Sequence, residues 1–150
     1  MLNNGAKIIF EGPNSELDLV NTSNINDRQF TLYNNLNKSG NDEYGIVRIG
    51  ATTKDLTIAN NGGPYTIGQD NTHRLKEFIV DGAGNIVVDN TVFTKLLSMN
   101  STGQVTFNQA LDLGAGDGSV IGNVGANGAA LEEVVFNGVD NGTANGVRVV

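Results

Sequence analysis

The feature that most constrains this chain is how often it must turn. In Gln104–Val139, QVTFNQALDLGAGDGSVIGNVGANGAALEEVVFNGV, short strand-forming runs alternate with clusters of Gly, Asn and Ala that read as turns. Val105, Phe107, Leu111 and Leu113 alternate with Thr106, Asn108 and Asp112, the period-two pattern of strands with one buried and one solvated face. The stretch also repeats itself. Val105-Thr106-Phe107-Asn108 returns as Val134-Val135-Phe136-Asn137, and Phe107…Leu111-Asp112-Leu113 echoes Phe10…Leu17-Asp18-Leu19 with a longer turn inserted. Loose self-similarity of this kind points to stacked coils of one chain.

The rest of the chain reads the same way. Lys7–Gly12 and Glu16–Asn21 are predicted strands around a Gly12-Pro13-Asn14-Ser15 turn, followed by Gln29–Asn34. Asn34–Tyr44 is the longest polar excursion. Gly45–Ala51 and Asp55–Ala59 resume the strand pattern before the strong turn signal Asn60-Asn61-Gly62-Gly63-Pro64. Tyr65–Gly68 starts a short strand, Asp70–Arg74 is a polar bend, and Leu75–Val80 and Ile86–Val88 flank Asp81-Gly82-Ala83-Gly84-Asn85. That pair, within EFIVDGAGNIVVDN, fits either a hairpin or one corner of a coil. Thr91–Met99 is the one stretch with a case for helix, but Val92 and Phe93 favour strand. Ala129–Glu133 fits a single helical turn, and Val147–Val150 a last strand.

About a dozen short strands without a convincing helix leave a sandwich, a barrel or a solenoid. Close strand pairs followed by irregular excursions favour coils with loops of variable length over regularly spaced hairpins. The expectation is one all-β unit over residues 1–150, a right-handed parallel β-solenoid (β-helix), with a β-sandwich as the alternative. Its 22 asparagines and 20 glycines suit a chain that turns often, and the glycines lack the three-residue period of collagen. Asn60, Asn61, Asn90, Asn108, Asn123 and Asn137 are candidates for a side-chain hydrogen-bond ladder at equivalent corners; the plainer alternative is that they only occupy turns.

Charge and composition exclude several function classes. A net charge of −7 with a pI near 4.4, and no run of Lys or Arg, argues against nucleic acid and against anionic lipid surfaces as partners. With no cysteine, disulfides, thiolate metal sites and cysteine nucleophiles all drop out. No segment has the apolar length to insert across a bilayer, and LNNGAKIIFEG after Met1 lacks the basic and apolar regions of a secretory signal. An exported protein with this sequence is expected to be a piece of a longer precursor.

VTFNQALDLGAGDGSVIGNVGANGAALEEVVFNG, with its Phe107-Asn108, Ala110-Leu111-Asp112-Leu113-Gly114 and Gly118-Ser119-Val120-Ile121-Gly122-Asn123-Val124 segments, resembles passenger regions of the rickettsial surface cell antigen autotransporters. The likeness extends upstream through NNGGPYTIGQDNTHRLKEFIVDGAGNIVVDN and covers roughly residues 60–138. It implies a β-solenoid stalk at the bacterial cell surface or outer membrane that serves adhesion to, and entry into, host cells. Neither the translocating barrel nor the leader of that family is visible.

A search for catalytic chemistry finds little. Asp112…Asp117 with its glycines lacks an intact calcium nonapeptide and the carboxylate spacing of an EF-hand. His73 is the one histidine, no Gly-x-Ser-x-Gly elbow accompanies it, and an exposed loop residue is the simpler reading. Glu132 and Glu133 are adjacent and would point to opposite faces of a strand. Gly114–Gly118 lacks the Lys-Ser/Thr of a phosphate loop. A carbohydrate-binding or polysaccharide-cleaving solenoid gathers charged residues on one face; Arg48, Arg74 and Lys76 with Asp55, Asp70 and Asp81 could in principle assemble so, though the sequence gives no reason to choose them. Asn21, Asn37, Asn100 and Asn141 begin glycosylation sequons, as chance alone provides in so Asn-rich a chain.

The expected function is therefore non-catalytic: an adhesin segment without cofactor or metal that binds a host-cell surface protein through protruding loops and stacks on neighbouring coils of a longer passenger. Asn34–Tyr44 and Asp70–Lys76 are the expected loops, with Asn41, Asp42, Glu43, Tyr44, Asp70, His73 and Arg74 as the candidate partner-binding residues.

Overall fold

The computed structural model describes residues 8–32, 43–113 and the strand 134–136. Its strands are β1 (Glu16–Asn21), β2 (Arg28–Leu32), β3 (Ile46–Ala51), β4 (Leu56–Asn60), β5 (Thr66–Ile67), β6 (Leu75–Gly82), β7 (Ile86–Val88), β8 (Thr91–Ser101), β9 (Val105–Phe107), β10 (Leu111–Asp112) and β11 (Val134–Phe136). There is no helix among the described residues. The class is all-β, as the alternation requires.

Two sheets form. The first runs β1-β3-β6-β8-β10 with β5 also on β8, and the second runs β2-β4-β7-β9-β11. The chain passes from the first sheet to the second and back, and each strand lies parallel to its neighbours in the same sheet. Strands β6 and β7, the two halves of EFIVDGAGNIVVDN, therefore belong to different sheets, and the segment is a corner rather than a hairpin. The antiparallel hairpins of a sandwich do not occur among the described strands. The sequence repeat is also a structural one: Val134, Val135 and Phe136 pair with Val105, Thr106 and Phe107.

Register explains the core. Leu17, Val47, Phe78 and Leu97 form one inward row of the first sheet, and Leu19, Ile49, Val80 and Met99 the next. Leu56, Ile86 and Val105, then Ile58, Val88 and Phe107, form the facing rows of the second. Most of these side chains are fully buried, each contributing about 1.5–3 kcal/mol relative to exposure. Phe78 and Phe107 span the two sheets edge to face, with ring centroids 6.4 Å apart. Leu17, Leu19 and Phe30 are only partly buried, because β1 and β2 end their sheets on that side.

Lys7–Gly12 departs from expectation. Lys7 lies outside the described residues; of residues 8–12 only Ile8 makes a bridge, Ile9 and Phe10 are not in a strand, and Ser15 donates to the Gly12 carbonyl in the turn that follows. Phe10 is nevertheless buried, packed under Gly45, where a Cβ would fall 2.2 Å from its ring. That contact is long-range and has no local signature.

A polar ladder does exist, at a corner other than the one expected. Asp27, Asp55, Asn85 and Gln104 each directly precede a strand of the second sheet. Asp27 Oδ1 accepts the Asp55 amide at 3.2 Å, Asp55 Oδ1 the Asn85 amide at 3.1 Å, and Asn85 Oδ1 the Gln104 amide at 3.1 Å. Of the expected ladder residues, Asn90 donates to the Tyr65 carbonyl and Asn108 to Asp89. Asn60 Oδ1 is buried without a partner, and Asn61 is exposed. Asn123 and Asn137 lie outside the described residues.

Candidate functional site

The chain turns between the sheets at two corners, and they differ. From the first sheet to the second the links are residues 22–27, 52–55, 83–85 and 102–104. From the second back to the first they are 33–45, 61–74 with β5 inside it, 89–90, and 108–110. Links 89–90 and 108–110 show how little chain the return needs. The two long links arise at the same corner; residues 61–74 hold most of the expected Asp70–Lys76 loop, whose Leu75 and Lys76 belong to β6 instead, while residues 33–42 of the other link lie outside the described residues.

The register measures the second excursion. Ile67 pairs with Val92 and Leu75 with Thr94, so residues 68–74 lie where the neighbouring strand has Phe93 alone. Gly68 starts the bulge at φ +79°, and a Cβ there would sit 2.2 Å from the Phe93 carbonyl oxygen. Only glycine fits both the backbone and the approach. Opposite it, Asn90 is fully buried and braces the Tyr65 carbonyl at 3.1 Å.

Within the bulge, Asp70 organises a tight turn. Its carboxylate accepts the Thr72 amide and hydroxyl, both at 2.8 Å, His73 Nδ1 at 2.9 Å and Gln69 Nε2 at 3.1 Å. Partial burial acts to raise the Asp70 carboxyl, but the hydrogen bonds from Thr72, His73 and Gln69 outweigh it and hold the group well below the usual carboxylate range. Thr72 and Asp70 both contact Nδ1 of His73, at 3.0 and 2.9 Å. A triad would need the hydroxyl and the carboxylate on opposite ring nitrogens, so these three residues make a turn rather than a proton relay.

The two excursions meet at their bases. The Glu43 amide donates to the Arg74 carbonyl at 3.0 Å, and Glu43 Oε1 lies 3.1 Å from Lys95 Nζ. Glu43 holds φ at 59°, unusual for a residue with a side chain. Of the candidate residues, Asp70, His73 and Glu43 are at least partly accessible, whereas Tyr44 packs against the core. Arg74 turns inward, 11% exposed, with Nε 3.7 Å from Asp112 Oδ1. Tyr44 and Arg74 therefore anchor the excursions. Asn41 and Asp42 lie outside the described residues, as do Asp117, Gly114–Gly118, Glu132, Glu133 and the Ala129–Glu133 and Val147–Val150 segments.

The charged set read from sequence is largely dispersed. Arg48 and Asp81 do meet: on the outer face of the first sheet Arg48 Nη1 is 3.2 Å from Asp81 and its Nε 2.8 Å from Glu16. The hydrogen bond to Glu16 raises the Arg48 guanidinium against its own desolvation, with Asp81 and Asp18 adding to the effect. Lys76 instead donates to Asn14, Asp55 belongs to the ladder, and Asp70 to its own turn. No group of three or more His, Asp or Glu residues is placed to hold a metal among the described residues.

A cleft of about 570 Å³ lies where β1 runs into β2, lined by Val20, Asn21, Ile25, Arg28 and Phe30 among others, with no carboxylate or histidine in its wall. It lacks an acid–base pair. The Asn21 sequon beside it is closed to modification: Asn21 is 2% exposed and donates to the Asp55 carbonyl at 3.0 Å. Asn100, by contrast, is exposed, and Asn37 and Asn141 lie outside the described residues.

The ladder Asp27–Asp55–Asn85–Gln104 is the feature that sequence reading missed. Its signal is a polar residue directly before each strand of the second sheet, concealed because the intervals between those residues are unequal. No protein-family model, curated protein or solved structure matches the chain.

Proposed function

We propose that this chain is a right-handed parallel β-solenoid segment of a bacterial surface passenger, attaching to a host-cell surface protein through the loops at its excursion-bearing corner. One observation carries the reading: the two long excursions arise at the same corner of consecutive circuits and are joined at their bases by the Glu43–Arg74 hydrogen bond. The parallel pairing through both sheets supports the solenoid. A scaffold of stacked strands with loops gathered on one side is a binding architecture, since loops tolerate variation that strands do not. The acidic balance and the resemblance to rickettsial surface antigens favour a bacterial surface location.

The test is saturable binding of the purified chain to host cells. Replacing Asp70-Asn71-Thr72 with Gly-Ser-Gly is expected to abolish binding while leaving the β-sheet circular dichroism intact. Unchanged binding by that variant would make this corner a bystander. Absence of saturable binding by the parent chain would make the segment a spacer.

A second reading, carbohydrate binding or cleavage, rests on Arg48 held between Glu16 and Asp81 on an exposed sheet face. Turnover of a polysaccharide, lost in Asp81→Asn, would favour it over the adhesin.

A further inference from the structure

Asn61 and Gly62 stand at the start of the second excursion, directly after β4. Both are exposed, Gly62 has φ +74°, and a Cβ built on it would meet nothing within 4 Å. The Asn61 amide is tied to the Leu32 carbonyl at 3.4 Å, but the Asn61 carboxamide and the Gly62 backbone N–H have no hydrogen-bond partner among the described residues. These two free groups are the partners of an intramolecular acyl transfer.

We infer that Asn61 is a site of spontaneous deamidation. The Gly62 backbone nitrogen attacks Cγ of Asn61, forming a ring C–N bond. The carboxamide C–N bond breaks, and ammonia leaves with the proton given up by the Gly62 nitrogen. Water then adds to either carbonyl of the cyclic imide. Opening at one gives aspartate, and opening at the other gives isoaspartate, with one more carbon in the main chain. No oxidant or cofactor enters.

The fold makes the site selective. Asn14, Asn21, Asn85, Asn90 and Asn108 have their side chains engaged in hydrogen bonds. Asn24, Asn26, Asn71 and Asn100 are exposed, but Ile25, Asp27, Thr72 and Ser101 follow them, and a side chain on the attacking residue obstructs ring closure. Asn61-Gly62 is the one Asn-Gly pair among the described residues. The product adds a negative charge, and in the isoaspartyl form a longer backbone, where the excursion leaves the sheet.

The test is to age the folded chain in mildly alkaline buffer and map it by trypsin, which releases Asp55–Arg74 carrying Asn60, Asn61 and Asn71 together. A gain of about one dalton, from conversion of a labile asparagine, is expected at Asn61 ahead of the other two, with fragmentation showing both aspartyl and isoaspartyl forms. Asn61→Gln should remove that acidic product from the peptide and leave the circular dichroism unchanged. Conversion first at Asn60 or Asn71, or an Asn61 that stays intact in the folded chain while converting in the isolated peptide, would overturn the inference.

Discussion

The two corners of the molecule solve the same topological problem in opposite ways. At one, residues 22–27, 52–55, 83–85 and 102–104 cross between the sheets in short links, and Asp27, Asp55 and Asn85 each accept an amide of the next circuit. At the other, the chain needs only residues 89–90 in one circuit and spends 61–74 in another. The first corner holds neighbouring strands in register. The second holds the 61–74 excursion in place through Gly68, Asn90 and the Glu43–Arg74 bond while leaving Asn71 and Thr72 exposed. Register is held at one corner and extra chain is accommodated at the other, so mutations at the two corners should read out differently.

The largest effect belongs to neither corner and calibrates both. Phe78→Ala removes a fully buried ring that touches Phe107 across the sheets and should cost about 3–5 kcal/mol in denaturant melts. Gly68→Ala forces a side chain into the left-handed region against the Phe93 carbonyl. It should cost about 1–3 kcal/mol, and a neutral result would show that the bulge relaxes freely. Asp55→Ala deletes one rung of the ladder and should cost about 1 kcal/mol. If replacing Asp70-Asn71-Thr72 costs as much as Asp55→Ala, the contrast between the corners fails.

The smallest effects are electrostatic. Arg48→Met breaks two partly exposed ion pairs on the first sheet and should shift stability by less than about 1 kcal/mol, less still in high salt. For Asp70 the sign follows from its lowered carboxyl: the folded form binds its proton less readily than the unfolded chain does. Its contribution is therefore present above the unfolded carboxylate range and is lost as pH falls through the folded value. Asp70→Asn should flatten the acid limb of a stability–pH curve, and an unchanged limb would remove the turn from the account.

Much of the fold was legible because its signals are local. Val47 to Ile49, Leu56 to Ile58 and Val105 to Phe107 alternate buried and half-buried residues, and the Val105–Phe107 repeat at Val134–Phe136 proves to be a pair of neighbouring strands. Thr91–Ser101 is a strand, as the β-branched and aromatic start at Val92 and Phe93 suggested. Lys7–Gly12 looked like a strand on composition, but Phe10 is placed by Gly45, a contact invisible from neighbours in sequence. Polarity marked residues 70–74 as a bend, and these do lie outside the strands, whereas Leu75 and Lys76 begin β6. It could not show that Arg74 turns inward to Asp112 or that Tyr44 packs on the core. The ladder escaped because asparagines were sought by residue type, whereas the corner requires any side-chain acceptor directly before a strand.

Because the chain has no cysteine, engineered disulfides can read its parallel stacking and register. Thr57 and Val87 are register partners on the outer face of the second sheet, and Thr106 is the next residue along. Parallel neighbours lie about 4.8 Å apart, within disulfide reach, whereas residues two strands apart are not. Thr57→Cys with Val87→Cys is predicted to cross-link on mild oxidation in the folded chain, and Thr57→Cys with Thr106→Cys to stay reduced. A hairpin over Asp81–Asn85 would instead bring Val87 beside Ile79. Cross-linking of Ile79→Cys with Val87→Cys, and none between positions 57 and 87, would contradict the stacked-strand account.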